Sequence, residues 1–135
     1  MNSNSTARTL HVLLVDGQID RAEMVAANLR GAGFSNLRVL QRQHGLLQQI
    51  EQDPPDVILI SVASPGRDLL QTLSAVSHQR PTPIVMFTDE DDPGRIREAV
   101  DAGVTTYLVS DISTEKVRPM VEVALAQFQA CQRWK

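Results

Sequence analysis

Between Leu10 and Val109 the chain alternates five times between a short apolar run and a longer segment carrying helix signals. The runs are Leu10 to Val15, Leu37 to Leu40, Asp56 to Ser61, Ile84 to Thr88 and Thr105 to Val109. Val57-Ile58-Leu59-Ile60 has no polar residue at alternate positions, as a strand covered on both faces requires. Helices are read between the runs, over Asp20 to Gly31, His44 to Gln52, Asp68 to Gln79, and Asp92-Pro93 to Ala102-Gly103. Their ends carry specific chemistry. "GAGF" stops the first, Asp92 and Pro93 give the fourth a cap and a first-turn proline, and Ser113-Thr114-Glu115 caps a last helix. Repeated βα units with short connections and right-handed crossovers make a parallel sheet with helices on both faces.

Composition narrows the class. The 135 residues are 42% hydrophobic and 21% charged, enough for one domain with a real core. A net charge of −3 argues against a nucleic-acid surface on this chain. The single cysteine, Cys131, excludes an internal disulfide and fits a reducing cytosol. No apolar run approaches the ~18 residues of a membrane span. The opening "MNSNSTART" lacks the apolar core of a signal peptide and reads as a tail over residues 1–9. A cytoplasmic domain over residues 10–130 is expected, with residues 131–135 beginning a linker helix to an output module.

Sheets of this kind place their chemistry at the carboxyl ends of the strands. Four tips stand there: Asp16-Gly17, Ser61, Thr88 and Ser110-Asp111. "LLVDG" at the first tip, "PDVILIS" with "SPG" at the third, "PIVMFT" at the fourth and "AGVTTYLV" at the fifth together resemble a response-regulator receiver domain. The resemblance covers roughly residues 9 to 130. It implies a doubly wound five-stranded parallel sheet of the flavodoxin/CheY-like kind, a three-layer sandwich with strand order 2-1-3-4-5. Within the receivers, "RPTPIVMFTDEDDPGRIREAVDAGVTTYLVSDIS" and "SPGRD" are most similar to ANTAR antitermination regulators of the NasT nitrate-assimilation type.

In that family a phosphoryl group passes from a histidine kinase to an aspartate at the third tip. Acids at the first tip hold Mg²⁺, a hydroxyl at the fourth touches the phosphoryl group, and a lysine at the fifth neutralises it. Carried over by position, Asp16 matches the first acid, Thr88 the hydroxyl, and Tyr107 the aromatic that moves with it. Three positions depart: the second acid is Gly17, the phospho-acceptor is Ser61, and the lysine is Ser110. These losses matter chemically. Mg²⁺ relies on converging carboxylates and phosphate oxygens. A serine hydroxyl is a weak nucleophile without an adjacent base, and no histidine sits at any tip. The two lysines, Lys116 and Lys135, both lie on the last helix. Asp56 is five residues down its strand from Ser61, ~16 Å away at ~3.3 Å per residue. Asp68 falls at the start of the next helix. Ordinary phosphotransfer, a metal and any other cofactor are therefore not expected.

Blander readings stand beside these. Asp16 also suits a loop-amide acceptor at a βα turn, Thr88 a β-branched strand end, and Tyr107 a half-buried strand aromatic. The acids of "DEDDP", residues 89–93, suit a helix N-terminus better than a metal. His11, His44 and His78 fall on three separate elements, a poor start for a metal site. "VDGQID" has one glycine and no phosphate-cradling pattern, which argues against a nucleotide-binding enzyme of the same topology. On the last helix Val117, Val121, Ala124, Phe128 and Cys131 form an apolar stripe, and "QACQRWK" carries no stop signal. Phe128, Cys131 and Trp134 suggest a homodimer through this helix, although Trp134 reads equally well as a plain end residue.

Taken together, the expectation is a pseudo-receiver, not an enzyme, that works by protein contact through its last βα units. Arg95, Arg97, Glu98 and the surroundings of Ile112 are the candidate surface. The NasT resemblance implies a NasS-like nitrate/nitrite sensor as partner, and RNA contact only through a C-terminal module absent from this chain. The alternative is a phosphorylatable receiver with a DNA- or RNA-binding output domain.

Overall fold

The computed structural model describes residues 10–42, 45–110, 112 and 114–133, with backbone alone at 114–116 and 131–133. The expectations for residues 1–9, His44, Asp111, Ser113 and Trp134, and for the Cys131 and Lys116 side chains, lie outside what is described. In chain order the elements are β1 (His11–Asp16), α1 (Ile19–Gly31), β2 (Asn36–Leu40), α2 (Leu46–Gln52) and β3 (Val57–Ser61). Then follow α3 (Arg67–Gln79), β4 (Ile84–Thr88), α4 (Pro93–Asp101), β5 (Thr106–Val109) and α5 (Thr114–Arg133). The strands form one five-stranded sheet, β2-β1-β3-β4-β5, and every adjacent pair is parallel.

Alternation along the strands builds two cores. Leu13, Val15, Ile58, Ile60, Ile84 and Met86 face α2, α3 and α4 with Leu46, Leu69, Leu73 and Ala99. Val12, Leu14, Val57, Leu59, Val85 and Phe87 face the other way, against Val25 and Leu29 of α1 and Val117, Val121 and Ala124 of α5. The central strands are therefore buried on both sides, and each Leu or Ile so covered contributes about 1.5–3 kcal/mol.

Two helices stop by the same device. Gly33 and Gly103 have φ of 109° and 112°. Each follows a helix whose penultimate turn accepts the amide two residues beyond the cap: Phe34 N–H donates to the Leu29 carbonyl at 3.0 Å and Val104 N–H to Ala99 at 3.1 Å. In "GAGF" the left-handed residue is thus Gly33, not Gly31. At the other end of α4, Asp92 caps as its sequence implies, its side chain accepting the Arg95 amide at 3.2 Å.

Two details of α5 and its approach bear on the sequence reading. Ile112 is buried with the α1–α5 core and offers no exposed surface of its own. Phe128 is half-buried and lines a small cavity with Leu10, Pro55, Pro83 and Leu125, so part of its ring is covered by its own chain. Among the described residues no helix is long and apolar enough to cross a membrane.

Candidate functional site

The parallel register brings the tips together. Asp16 stands opposite Ser61 at the ends of β1 and β3, Ser61 opposite Phe87, and Thr88 opposite Val109. Pairing continues past the strands, with Val62 N–H on the Phe87 carbonyl at 3.0 Å and Asp89 N–H on Ala63 at 3.1 Å. Asp16, Ser61 and Thr88 are all buried. Gly17, Arg21, Gln41 and Ser64 complete, with Asp16 and Ser61, an open cavity of about 540 Å³.

Asp16 is fully buried and fully engaged. Its Oδ2 accepts Arg21 Nε–H at 2.8 Å, and its Oδ1 accepts Arg21 Nη2–H at 2.7 Å. Oδ1 also accepts the Gln18 amide at 3.0 Å, so the loop-acceptor reading of Asp16 holds as well. Arg21 sits in the first turn of α1, five residues on, and forms a planar two-point clamp. Sequence reasoning missed it, because a residue at i+5 across a strand–loop–helix junction belongs to no short-range pattern.

The hydroxyl at the fourth tip is also engaged. Thr88 Oγ1 donates to the Ala63 carbonyl at 2.9 Å and accepts the Glu90 amide at 3.2 Å. Tyr107 Oη donates to the Glu90 carbonyl at 2.8 Å, which places the half-buried ring over the β4–α4 loop. Burial pushes the Tyr107 pKa above 10, the Glu90 charge adds to this, and a hydrogen bond with the Thr88 side chain works against it. The Glu90 carboxylate meanwhile takes Ser64 Oγ–H at 2.9 Å and the Asp92 amide at 3.2 Å. Both Glu90 and Asp92 of "DEDDP" thus serve turn and cap bonds. Ser110, at the lysine position, is half-buried just past β5.

Asp56 and Asp68 stay away. Asp56 lies at the amino end of the strands, opposite the tips, its Oδ2 accepting the His11 amide at 2.7 Å. Asp68 is an exposed first-turn residue of α3. Among the described residues the tips therefore bring together Asp16, already neutralised by the Arg21 guanidinium, and the Ser61 and Thr88 hydroxyls, with Glu90 held in turn bonds beside them. This donor set does not fit Mg²⁺, which needs an octahedron of oxygens at about 2.0–2.1 Å and carboxylates free to join it. Nor does it activate Ser61, since the adjacent carboxylate is held by Arg21 and no imidazole stands beside it among the described residues.

Comparison with known proteins agrees with the fold and names the family. A model of the response regulator receiver domain matches residues 12–122. The transcriptional regulatory protein PdtaR of Mycobacterium tuberculosis is 29% identical over 112 residues, which is 83% of this chain and 53% of PdtaR. The transcriptional regulatory protein ZraR of Salmonella typhimurium is 27% identical over 118 residues, 87% of this chain and 26% of ZraR. The chain thus spans about half, or less, of the length of these relatives. Among solved structures, the chemotaxis protein CheY4 of Vibrio cholerae superposes with a TM-score of 0.72 at 27% identity, covering 85% of this chain and 98% of CheY4. A response regulator of Thermotoga maritima, 18% identical with a TM-score of 0.74 over 87% of this chain and 98% of its own, shares the fold. With its strand order, the gathered tips and a family match over most of its length, this chain belongs to the response regulator receiver domain family.

Proposed function

We propose that this receiver domain signals by protein contact without being phosphorylated. One observation carries the reading: the residue in register with Asp16 at the β3 tip, where the family carries its phospho-acceptor, is Ser61. A neutral hydroxyl cannot form an acyl phosphate, and its neighbours do not activate it.

The similarity of "SPGRD" and of residues 80–113 to NasT-type ANTAR regulators makes a transcription antiterminator of nitrate/nitrite assimilation the fitting whole-protein context. A NasS-like sensor is then the partner, with RNA contact reserved for a C-terminal module. The α4–β5 face suits such a partner. Val100 is 54% and Val109 52% exposed, both large apolar side chains, and the exposed Arg97 and Glu98 precede Val100 on α4. An apolar centre with charged surroundings is the usual anatomy of a specific interface.

The test is direct. Incubation with acetyl phosphate and Mg²⁺ should leave the intact mass unchanged, and a phosphoryl adduct mapped to the strand tips would return the domain to the phosphorylatable class. Arg97→Glu and Val100→Asp should each weaken binding of a NasS-like sensor while leaving the melting temperature within a few degrees of wild type. Undiminished binding by both variants would move the interface elsewhere.

A further inference from the structure

The cation that receivers place among their acidic tips has a counterpart here that belongs to the chain itself. We propose that the Arg21 guanidinium is the resident cation of this site, shutting divalent metal out and holding the β1–α1 loop in one arrangement. The proposal rests on reading the site as phosphorylation-free, and says what replaced the metal.

Both Asp16 oxygens are used, at 2.8 and 2.7 Å, by the two prongs of one guanidinium. A planar fork on a carboxylate satisfies charge and direction together, which a strongly hydrated ion on a single carboxylate does not. Arg21 is held in place from behind. Its neighbour Ala22 is buried, donates its amide to the Gln18 carbonyl at 2.9 Å, and begins the stripe that packs α1 onto the sheet. The Gln18 amide returns to Asp16 Oδ1, so strand tip, loop and first helical turn close into one ring of bonds. For an ion to reach Asp16 it must expel Arg21, and neither Gly17 nor Ser61 offers a carboxylate in return. Arg21 is thus a positioning residue.

Restoring the second acid makes the exclusion measurable. A Cβ at Gly17 meets only the Gln41 carbonyl oxygen at 3.5 Å, an ordinary contact, so the backbone tolerates a side chain there. Mn²⁺ affinity, read by electron paramagnetic resonance, is compared for Gly17→Asp and for Gly17→Asp/Arg21→Ala. Gly17→Asp/Arg21→Gln serves as a variant of similar size should the alanine version not fold. Removing the guanidinium should tighten Mn²⁺ binding about tenfold or more, because the ion no longer competes with two charge-assisted bonds. Wild type should show no Mn²⁺-dependent change in melting temperature. Equal Mn²⁺ affinity with and without Arg21, no binding by any variant, or clear stabilisation of wild type by Mn²⁺ would each overturn the assignment. None of these results depends on whether Ser61 accepts phosphate, so failure here is distinguishable from an adduct in the acetyl phosphate experiment.

Discussion

Arg21→Ala should be among the most damaging single changes at a position that is not part of the apolar core. Asp16 is 0% exposed and the Arg21 side chain 28%, so truncation leaves a buried carboxylate with only the Gln18 amide. Breaking a buried pair by removing one partner costs about 3–5 kcal/mol. The partial exposure of Arg21 admits some water to Asp16, which lowers the expectation to about 2–4 kcal/mol. For a domain of this size that is a fall in melting temperature of roughly 8–15 °C. Asp16→Asn should cost less, about 1–2 kcal/mol, since Arg21 can turn toward solvent while the amide keeps the Gln18 bond. The double variant should recover part of the loss, giving a coupling of about 1–2 kcal/mol. Urea unfolding followed by far-ultraviolet circular dichroism, in buffer containing EDTA, yields all four corners of the cycle. If Arg21→Ala lies within about 0.5 kcal/mol of wild type, or the coupling vanishes, the pair is not a buried ion pair in solution and the clamp is wrong.

Tyr107 should titrate above pH 10 by ultraviolet absorbance, because the fold favours its neutral form. With the folded pKa raised, its contribution to stability is complete below the unfolded value and fades as pH climbs through the folded one. Tyr107→Phe, which lacks the 2.8 Å bond to Glu90, should cost about 1 kcal/mol near neutral pH and remove that alkaline loss. Gly103→Ala combines φ of +112° with a Cβ driven against Ser77 Oγ and 2.8 Å from Ser77 Cβ, so a loss of more than about 1 kcal/mol is expected in the same unfolding assay. Phe128→Glu should lower stability by about 1–3 kcal/mol, since losing the half-buried ring uncovers part of Leu10, Pro55 and Pro83, and should shift any dimer formed through α5 toward monomer. Sedimentation of wild type as monomer alone at tens of micromolar would discard the α5 dimer.

The strands were legible because both-face burial writes itself as unbroken apolar runs: β4 begins and ends where Ile84 and Thr88 suggest, β2, β3 and β5 differ by one residue at their starts alone, and β1 by one residue at both ends. Asp16, Ser61 and Thr88 were legible as neighbours because a parallel sheet must gather its strand ends. What they bond to was not. The Arg21 clamp depends on how two loop residues turn between β1 and α1, and the Tyr107 bond lands on a backbone carbonyl that any residue at position 90 would supply. The surroundings of Ile112 were read as surface; Ile112 itself is buried, packed with the core of α1 and α5.

The Asp16–Arg21 clamp also acts as a ratchet on the history of the site. Regaining a metal-dependent acceptor needs aspartate at 17 and 61 and the loss of Arg21. Losing Arg21 first strands a buried charge, and Ser61→Asp first sets a second carboxylate in register with Asp16. Gly17→Asp has room for its Cβ, but an ion gathered there still competes with the guanidinium for Asp16. If the domain is phosphorylation-free as proposed, a lineage holding this clamp can drift on its α4–β5 surface, whereas a path to phosphate chemistry runs through less stable intermediates.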